Sequence, residues 1–308
     1  MEAIHISNLS FRYSNQLILD NVNISVPKGS IYGFIGHNGA GKTTTIKLLL
    51  NLLDSKTGKI EILGKDLQSN RNWCLSKIGS LVEYPGVYAH LNARENLKAK
   101  CIALGMSVEL SNNRIKQILE LIKLDHVKSK KVKHFSQGMK QRLGIGLALI
   151  SDPEILVLDE PTNGLDPNGI KEMRELIIRL SNAGKSIFIS SHLLAEVEKF
   201  CTHVALIDQG KILFAGELQE LISQNKQSHI VEIRTDDIEK SLYLLQAMDI
   251  KAIANEQYIE IQVQDQNEIA EINKKLVLAG INVYALKTSN KSLEQLFFSI
   301  TNKEYQLN

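Results

Sequence analysis

One eight-residue stretch constrains this chain more than any other: Gly36-His37-Asn38-Gly39-Ala40-Gly41-Lys42-Thr43, two glycines with four residues between them, then Lys and a hydroxyl. The apolar run Ile31-Tyr32-Gly33-Phe34-Ile35 before it reads as a buried strand, and the mostly apolar stretch from Thr44 to Leu53 as a helix ending near Asp54. Strand, glycine turn and helix in this order make a P-loop, in which backbone N–H groups converge on one point with the positive end of the helix behind them. Phosphate fits such a cradle. Residues Gly36 to Thr44 are therefore the expected nucleotide contacts, with Lys42 reaching the β- and γ-phosphates and the Thr43 hydroxyl holding Mg²⁺.

At 308 residues the chain has room for about two domains, each with its own core. Its 36 basic and 34 acidic residues leave a formal charge of +2, so no global field draws it to nucleic acid or anionic lipid. Cys74, Cys101 and Cys201 form no Cys-x-x-Cys pair, which argues against a zinc site or a disulfide scaffold and suits a reducing compartment. The start, Met1-Glu2-Ala3-Ile4-His5, lacks the form of a signal peptide, and no window holds the roughly 18 uncharged apolar residues of a membrane helix. A cytoplasmic chain is expected.

Residues 4 to 35 alternate short apolar runs with turn residues, as a set of short strands would, and Tyr13 falls in a polar turn among them. That ring is either a surface turn residue or a platform for a base. Further strands are expected at Gly58 to Gly64 and Ile78 to Glu83, and Glu83 then stands at the edge of a sheet where a carboxylate could bind Mg²⁺ or position a water. Between Asn92 and Ile150 the pattern turns helical, opened by a capping box of Asn92 and Glu95. The basic run Lys128 to Lys133 has no interleaved aromatics and reads as a solvated face. Ser136 is a candidate N-cap whose helix end could meet an anion.

Ile155-Leu156-Val157-Leu158-Asp159-Glu160 has the form of a parallel strand buried on both faces, delivering two carboxylates to the sheet edge. Asp159 would bind Mg²⁺ through its water shell, and Glu160 would act as general base or orient the attacking water. Asn163 to Pro167 is a tight turn before a helix over Ile170 to Leu180, Ser186 to Ser190 is another buried strand, and His192 follows it as a candidate γ-phosphate contact. His203 to Asp208 and Lys211 to Phe214 form a closing hairpin. From residue 229 the elements run βαββαβ, a small α+β ferredoxin-like domain, with a further helix from Leu293 to Ile300. Domains are thus expected at 1–216, with a helical subdomain at about 84–150, and at 229–308, joined by a linker over 217–228.

Taken together, the P-loop, Phe135-Ser136-Gln137-Gly138-Met139, the 155–160 strand, Gly164-Leu165-Asp166 and His192 follow one another as in the nucleotide-binding subunits of ABC transporters, which residues 1 to about 216 resemble. The resemblance implies a P-loop ABC ATPase fold with a mixed sheet and a helical subdomain. It implies ATP and Mg²⁺ as ligands, a head-to-tail homodimer, a separate membrane-spanning permease and no nucleic acid partner, with this subunit peripheral on the inner face of the cell membrane. It gives Tyr13 the adenine-stacking place, Glu160 the role of catalytic base and His192 the γ-phosphate contact. Ser136 and Gly138 would grip the ATP of the partner subunit, and Asp166 would turn across the dimer interface. Two departures stand out. The signature is usually Leu-Ser-Gly-Gly-Gln, of which Ser136 and Gly138 remain, and Glu83 stands where most members place glutamine. This glutamate, its flanking residues and the C-terminal region are similar to the ATPases of bacitracin-type and lantibiotic-immunity exporters.

A soluble ABC ATPase of DNA repair or translation is the alternative; a single cassette, no long coiled coil, no zinc cysteines and no basic stripe weigh against it. A GTPase would need Asn-Lys-x-Asp, and neither Asn273-Lys274 nor Asn302-Lys303 has an Asp two places on.

Overall fold

A computed structural model describes residues 1–127, 129–224, 229–255, 257–263 and 266–289, together with 293, 296 and 297. The chain divides into two compact units, Met1–Leu218 and Gln219–Asn308.

The first unit opens with a long antiparallel hairpin of β1 (Glu2–Tyr13) and β2 (Gln16–Pro27). The short runs seen in the sequence fuse because Asn8 and Asn21 take φ of 51° and 52°, and the ladder absorbs both as register shifts. Next come β3 (Ile31–Ile35) and α1 (Lys42–Leu49). This helix stops before Leu53, short of the expected end, because Asn51 turns left-handed at φ 52° and Leu52 N–H closes back on the Lys47 carbonyl. β4 (Thr57–Ile62) and β5 (Lys65–Asp66) complete a four-stranded sheet in the order β2-β1-β4-β5.

After α2 (Arg71–Ser76) and β6 (Ile78–Leu81) the chain leaves the sheets for three helices, α3 (Ala93–Ala103), α4 (Val108–Leu121) and α5 (Gln137–Leu149). The capping box opens α3: Glu95 N–H donates to Asn92 Oδ1 at 2.9 Å, and Asn92 N–H donates to Glu95 Oε2 at 2.7 Å. Ile115 and Ile118 are buried on one stripe of α4 with Ile122 at its C-cap, and Leu119 is half-buried beside them. Lys131, from the basic run, pairs with Glu95 at 3.3 Å, as a solvated face would.

The chain returns through β7 (Ile155–Asp159), α6 (Pro167–Asn182), β8 (Ser186–Ser191), α7 (Leu194–Val197), β9 (His203–Asp208) and β10 (Lys211–Glu217). α6 begins three residues before the expected Ile170 because Asp166 caps it and Pro167 fits its first turn. Its Met173, Leu176, Ile177 and Leu180 are all buried. The second sheet has the order β10-β9-β3-β8-β7-β6, parallel except for β10. β3, β7 and β8 are buried along their whole length, the environment their continuous apolar runs require.

α8 (Leu218–Gln224) begins at the unit boundary. The second unit then runs β11 (His229–Thr235), α9 (Ile238–Ala247), β12 (Ala252–Ala254), β13 (Ile259–Val263), α10 (Gln266–Leu278) and β14 (Val283–Ser289). Its antiparallel sheet has the order β12-β13-β11-β14, which is the ferredoxin-like arrangement, over a core that includes Val231, Ile233, Leu245, Ile261, Ile272 and Leu276. Apart from 293, 296 and 297, the helix expected over 293–300 lies outside the described residues.

β6 lies close against the end of α5. A Cβ on Gly79 would stand 2.3 Å from the Ala148 carbonyl oxygen and 2.8 Å from the Pro153 ring. Gly79→Ala is expected to destabilise the first unit by about 1–3 kcal/mol, the usual cost of overpacking, read as a lower urea midpoint with an unchanged denaturant slope.

Candidate active site

Four strands end level with one another. Ile35 of β3 pairs with Ser191 of β8, Ser190 with Asp159 of β7, and Leu158 with Leu81 of β6. The residues that follow, from Gly36, His192, Glu160 and Val82 onward, therefore leave the sheet along one C-terminal edge, where open α/β sheets bind ligands.

The P-loop is fixed by what lies beneath it. A Cβ on Gly36 would meet the Ile207 carbonyl oxygen at 2.3 Å, so only glycine lets the loop lie this close to β9. Gly41, at φ 110°, caps α1 in a conformation that L side chains avoid. Gly210 N–H donates to the Ala40 carbonyl at 3.0 Å and ties the loop to the β9–β10 turn. His37, Asn38 and Gly39 face outward and are exposed, while Ala40 is buried.

Lys42, 6% exposed, folds back over this loop. Its Nζ donates to the carbonyls of Gly36 at 2.8 Å and His37 at 3.2 Å, and stands 3.3 Å from Glu160 Oε1. Thr43 Oγ1 donates to Asp159 Oδ2 at 3.2 Å, with Thr44 half-buried behind it on α1. Asp159 Oδ1 accepts from Ser190 Oγ at 2.6 Å, and Ser190 Oγ in turn accepts the Glu160 N–H at 2.9 Å. Glu160 turns out of the strand at φ 47° and places Oε2 2.7 Å from His192 Nδ1. An ionised carboxylate only accepts, so the imidazole carries its proton on Nδ1 here.

The structure thus brings together Gly36, His37, Lys42, Thr43, Asp159, Glu160 and His192. It adds Ser190, which the sequence reading passed over. A serine after the apolar run Ile187-Phe188-Ile189, two places before His192, was the available signal. Thr43 Oγ1 and the Asp159 carboxylate form an all-oxygen pair of the kind a hard cation takes, so the residues fit Mg²⁺.

Glu83 follows β6 at φ 56°, and its Oε1 lies 2.7 Å from Lys47 Nζ on α1. That hydrogen bond holds the Lys47 ammonium above the ordinary lysine range. Tyr13 ends β1 half-exposed, its ring edge-on to Phe11 at 4.9 Å. Ser136, Gly138 and Asp166 form a separate group. Ser136 Oγ caps α5 by accepting Met139 N–H at 3.3 Å, and Asp166 Oδ1 caps α6 by accepting Gly169 N–H at 2.9 Å. A Cβ on Gly138 would face Leu165 at 3.7 Å, so the two turns are neighbours. Among the described residues none of their hydrogen bonds reaches the Lys42 group.

Ser190 serves both carboxylate-bearing residues, so Ser190→Ala leaves a buried Asp159 oxygen and the Glu160 N–H without this partner. A stability loss of about 1–3 kcal/mol is expected, read by chemical denaturation.

A family model described as ABC transporter matches residues 19–163. The bacitracin transport ATP-binding protein BcrA of Bacillus licheniformis is 43% identical over 300 residues, 96% of either chain. The lantibiotic transport ATP-binding protein SrtF of Streptococcus pyogenes is 44% identical over 214 residues, 70% of this chain and 90% of its own. A solved ATP-binding subunit of an ABC transporter superposes with a TM-score of 0.64 at 31% identity, over 72% of this chain and 92% of that one. No helix among the described residues is long and apolar enough to cross a membrane. The P-loop at the sheet edge, the family match that spans it and these relatives lead to one conclusion: this chain belongs to the ATP-binding subunits of ABC transporters, and it binds and hydrolyses ATP.

Proposed function

We propose that this subunit powers the export of an antimicrobial peptide of bacitracin or lantibiotic type through a separate membrane-spanning permease, working from the inner face of the cell membrane. The observation that carries the reading is the 43% identity to a bacitracin transport ATP-binding protein across 96% of both chains. That match extends through the second unit, whereas the lantibiotic relative matches 70% of this chain, which favours the bacitracin type. A role in DNA repair or translation finds no support among these relatives.

In this reading Lys42 exchanges the Gly36 and His37 carbonyls for the β- and γ-phosphates, and the N–H groups of residues 36–44 cradle the chain of phosphates. Thr43 and Asp159 would hold Mg²⁺, with Glu83 on the same edge; bound Mg²⁺ supplies neutralisation of charge on the β- and γ-oxygens. Glu160 takes the proton of the attacking water. His192, held by its Nδ1–H to Glu160, contacts the γ-phosphate. Tyr13 stacks on the adenine. Ser136, Gly138 and Asp166 act on the nucleotide of a second copy, in a head-to-tail homodimer.

Lys42→Ala is expected to weaken ATP binding at least a hundredfold by calorimetry. Glu160→Gln should keep binding, elute as a dimer when ATP is present, and turn over about 10²–10⁴ times more slowly; hydrolysis at the native rate removes Glu160 from the base role. For the cargo, the chain is expressed with its membrane subunit in a peptide-sensitive bacterium. The minimal inhibitory concentration of bacitracin should rise severalfold, and the rise should vanish with Glu160→Gln. No rise with bacitracin or with a lantibiotic would remove the peptide cargo and leave the ATPase in place.

A further inference from the structure

Glutamate at position 83 brings a problem of charge. Extending the β6–β7 pairing by two residues past Leu81 and Leu158 sets Glu83 level with Glu160, one strand away from the carboxylates of Asp159 and Glu160. A third carboxylate beside a polyphosphate cradle repels both its neighbours and the ligand. The backbone adds a cost, because φ 56° suits glycine or asparagine better than glutamate.

Lys47 answers both. It lies four residues beyond Thr43 on α1, hence one turn along the same face. The Thr43 hydroxyl meets Asp159 on β7, and the Lys47 ammonium meets Glu83 after β6 at 2.7 Å. One face of the P-loop helix therefore holds the ends of two adjacent strands. The Asp159 carboxylate adds to the effect of Glu83 in favouring the charged form of Lys47. Lys47 is half-buried, and Glu83 is exposed at its outer side.

We propose that Lys47 is a positioning residue for Mg²⁺-dependent nucleotide binding: it pins Glu83 to the P-loop helix and offsets the negative charge that glutamate adds there. The proposal rests on the reading of Thr43, Asp159 and Glu83 as the metal side of the ATP site. Its consequence is that Lys47 matters only while residue 83 is glutamate. With glutamine at 83 there is no charge to offset and no ion pair to hold.

The test is a double-mutant cycle on the full chain, with Lys47→Met, Glu83→Gln and the double variant, read as the dissociation constant for ADP with and without Mg²⁺ by calorimetry. Lys47→Met is expected to weaken Mg²⁺-dependent ADP binding about tenfold in the native background and less than twofold in the Glu83→Gln background, with Lys47→Arg restoring most of the loss. An equal loss in both backgrounds, or none in the native one, overturns the proposal. Lys47→Gln, with thermal unfolding recorded alongside, repeats the comparison should Lys47→Met not fold. Lys42→Ala runs in parallel: retained Mg²⁺-dependent binding by that variant would overturn the underlying assignment of the site, whereas lost binding together with an indifferent Lys47 would overturn only the role of Lys47.

Discussion

The level register of β3, β8, β7 and β6 is the constraint on which the site depends. Each strand points successive side chains to opposite faces, so a slip of one residue in β7 would exchange Asp159 and Glu160 between the Thr43 side and the His192 side. Packing prevents the slip. Leu156, Val157, Leu158, Ile187 and Phe188 are all fully buried, and the Phe188 ring stacks on Tyr32 of β3 at 5.9 Å. Glycines set the depth of the same sheet: a Cβ on Gly33 would stand 2.7 Å from Val197, and one on Gly36 would strike the β9 backbone. The chemistry at the edge is held in place by apolar contacts below it.

Charge balance explains how a buried lysine is tolerated at this edge. An ammonium has three N–H donors, and Lys42 faces three acceptors, the Gly36 and His37 carbonyls and Glu160 Oε1, at 2.8, 3.2 and 3.3 Å. Burial makes an unpaired charge costly, so these contacts hold Lys42 against the loop it will serve. Phosphate oxygens would compete for the same donors. In the proposed function nucleotide binding would exchange contacts instead of adding them, and would free Glu160 from Lys42 while the Nδ1–H of His192 still orients it.

Much of this was legible in the sequence because it is local. The glycine loop, the apolar run ending in Asp159 and Glu160, the box of Asn92 and Glu95 and the βαββαβ order of the second unit each depend on residues close together in the chain. What stayed hidden depends on partners brought together by the sheet. Ser190 reads as an ordinary strand residue until the pairing of β7 with β8 sets it against Asp159. Lys47 is one more helical lysine until Glu83 turns left-handed beneath it. Helix ends misled for a related reason: Leu52 and Leu53 continue an apolar pattern, but Asn51 has already left the helix, and Leu52 ends exposed.

The group at Ser136, Gly138 and Asp166 bears on how such a subunit would be switched. The N-terminus of α5 carries a partial positive charge and N–H groups without intrahelical partners, and a Cβ at Gly138 would meet only Leu165 within 4 Å among the described residues. In the proposed function this would be a second anion-binding end, separate from the P-loop in its hydrogen bonding among the described residues. In the proposed head-to-tail dimer the γ-phosphate is the group that both ends could share. ATP then binds the dimer more tightly than the monomer, and by linkage the dimer forms more readily when ATP is present. Cleavage of the γ-phosphate removes the shared anion, leaving the α5 terminus with nothing to hold while the P-loop still grips the diphosphate. On this logic closure belongs to ATP binding and opening to hydrolysis, and both follow from where the sheet and α5 place two sets of N–H groups.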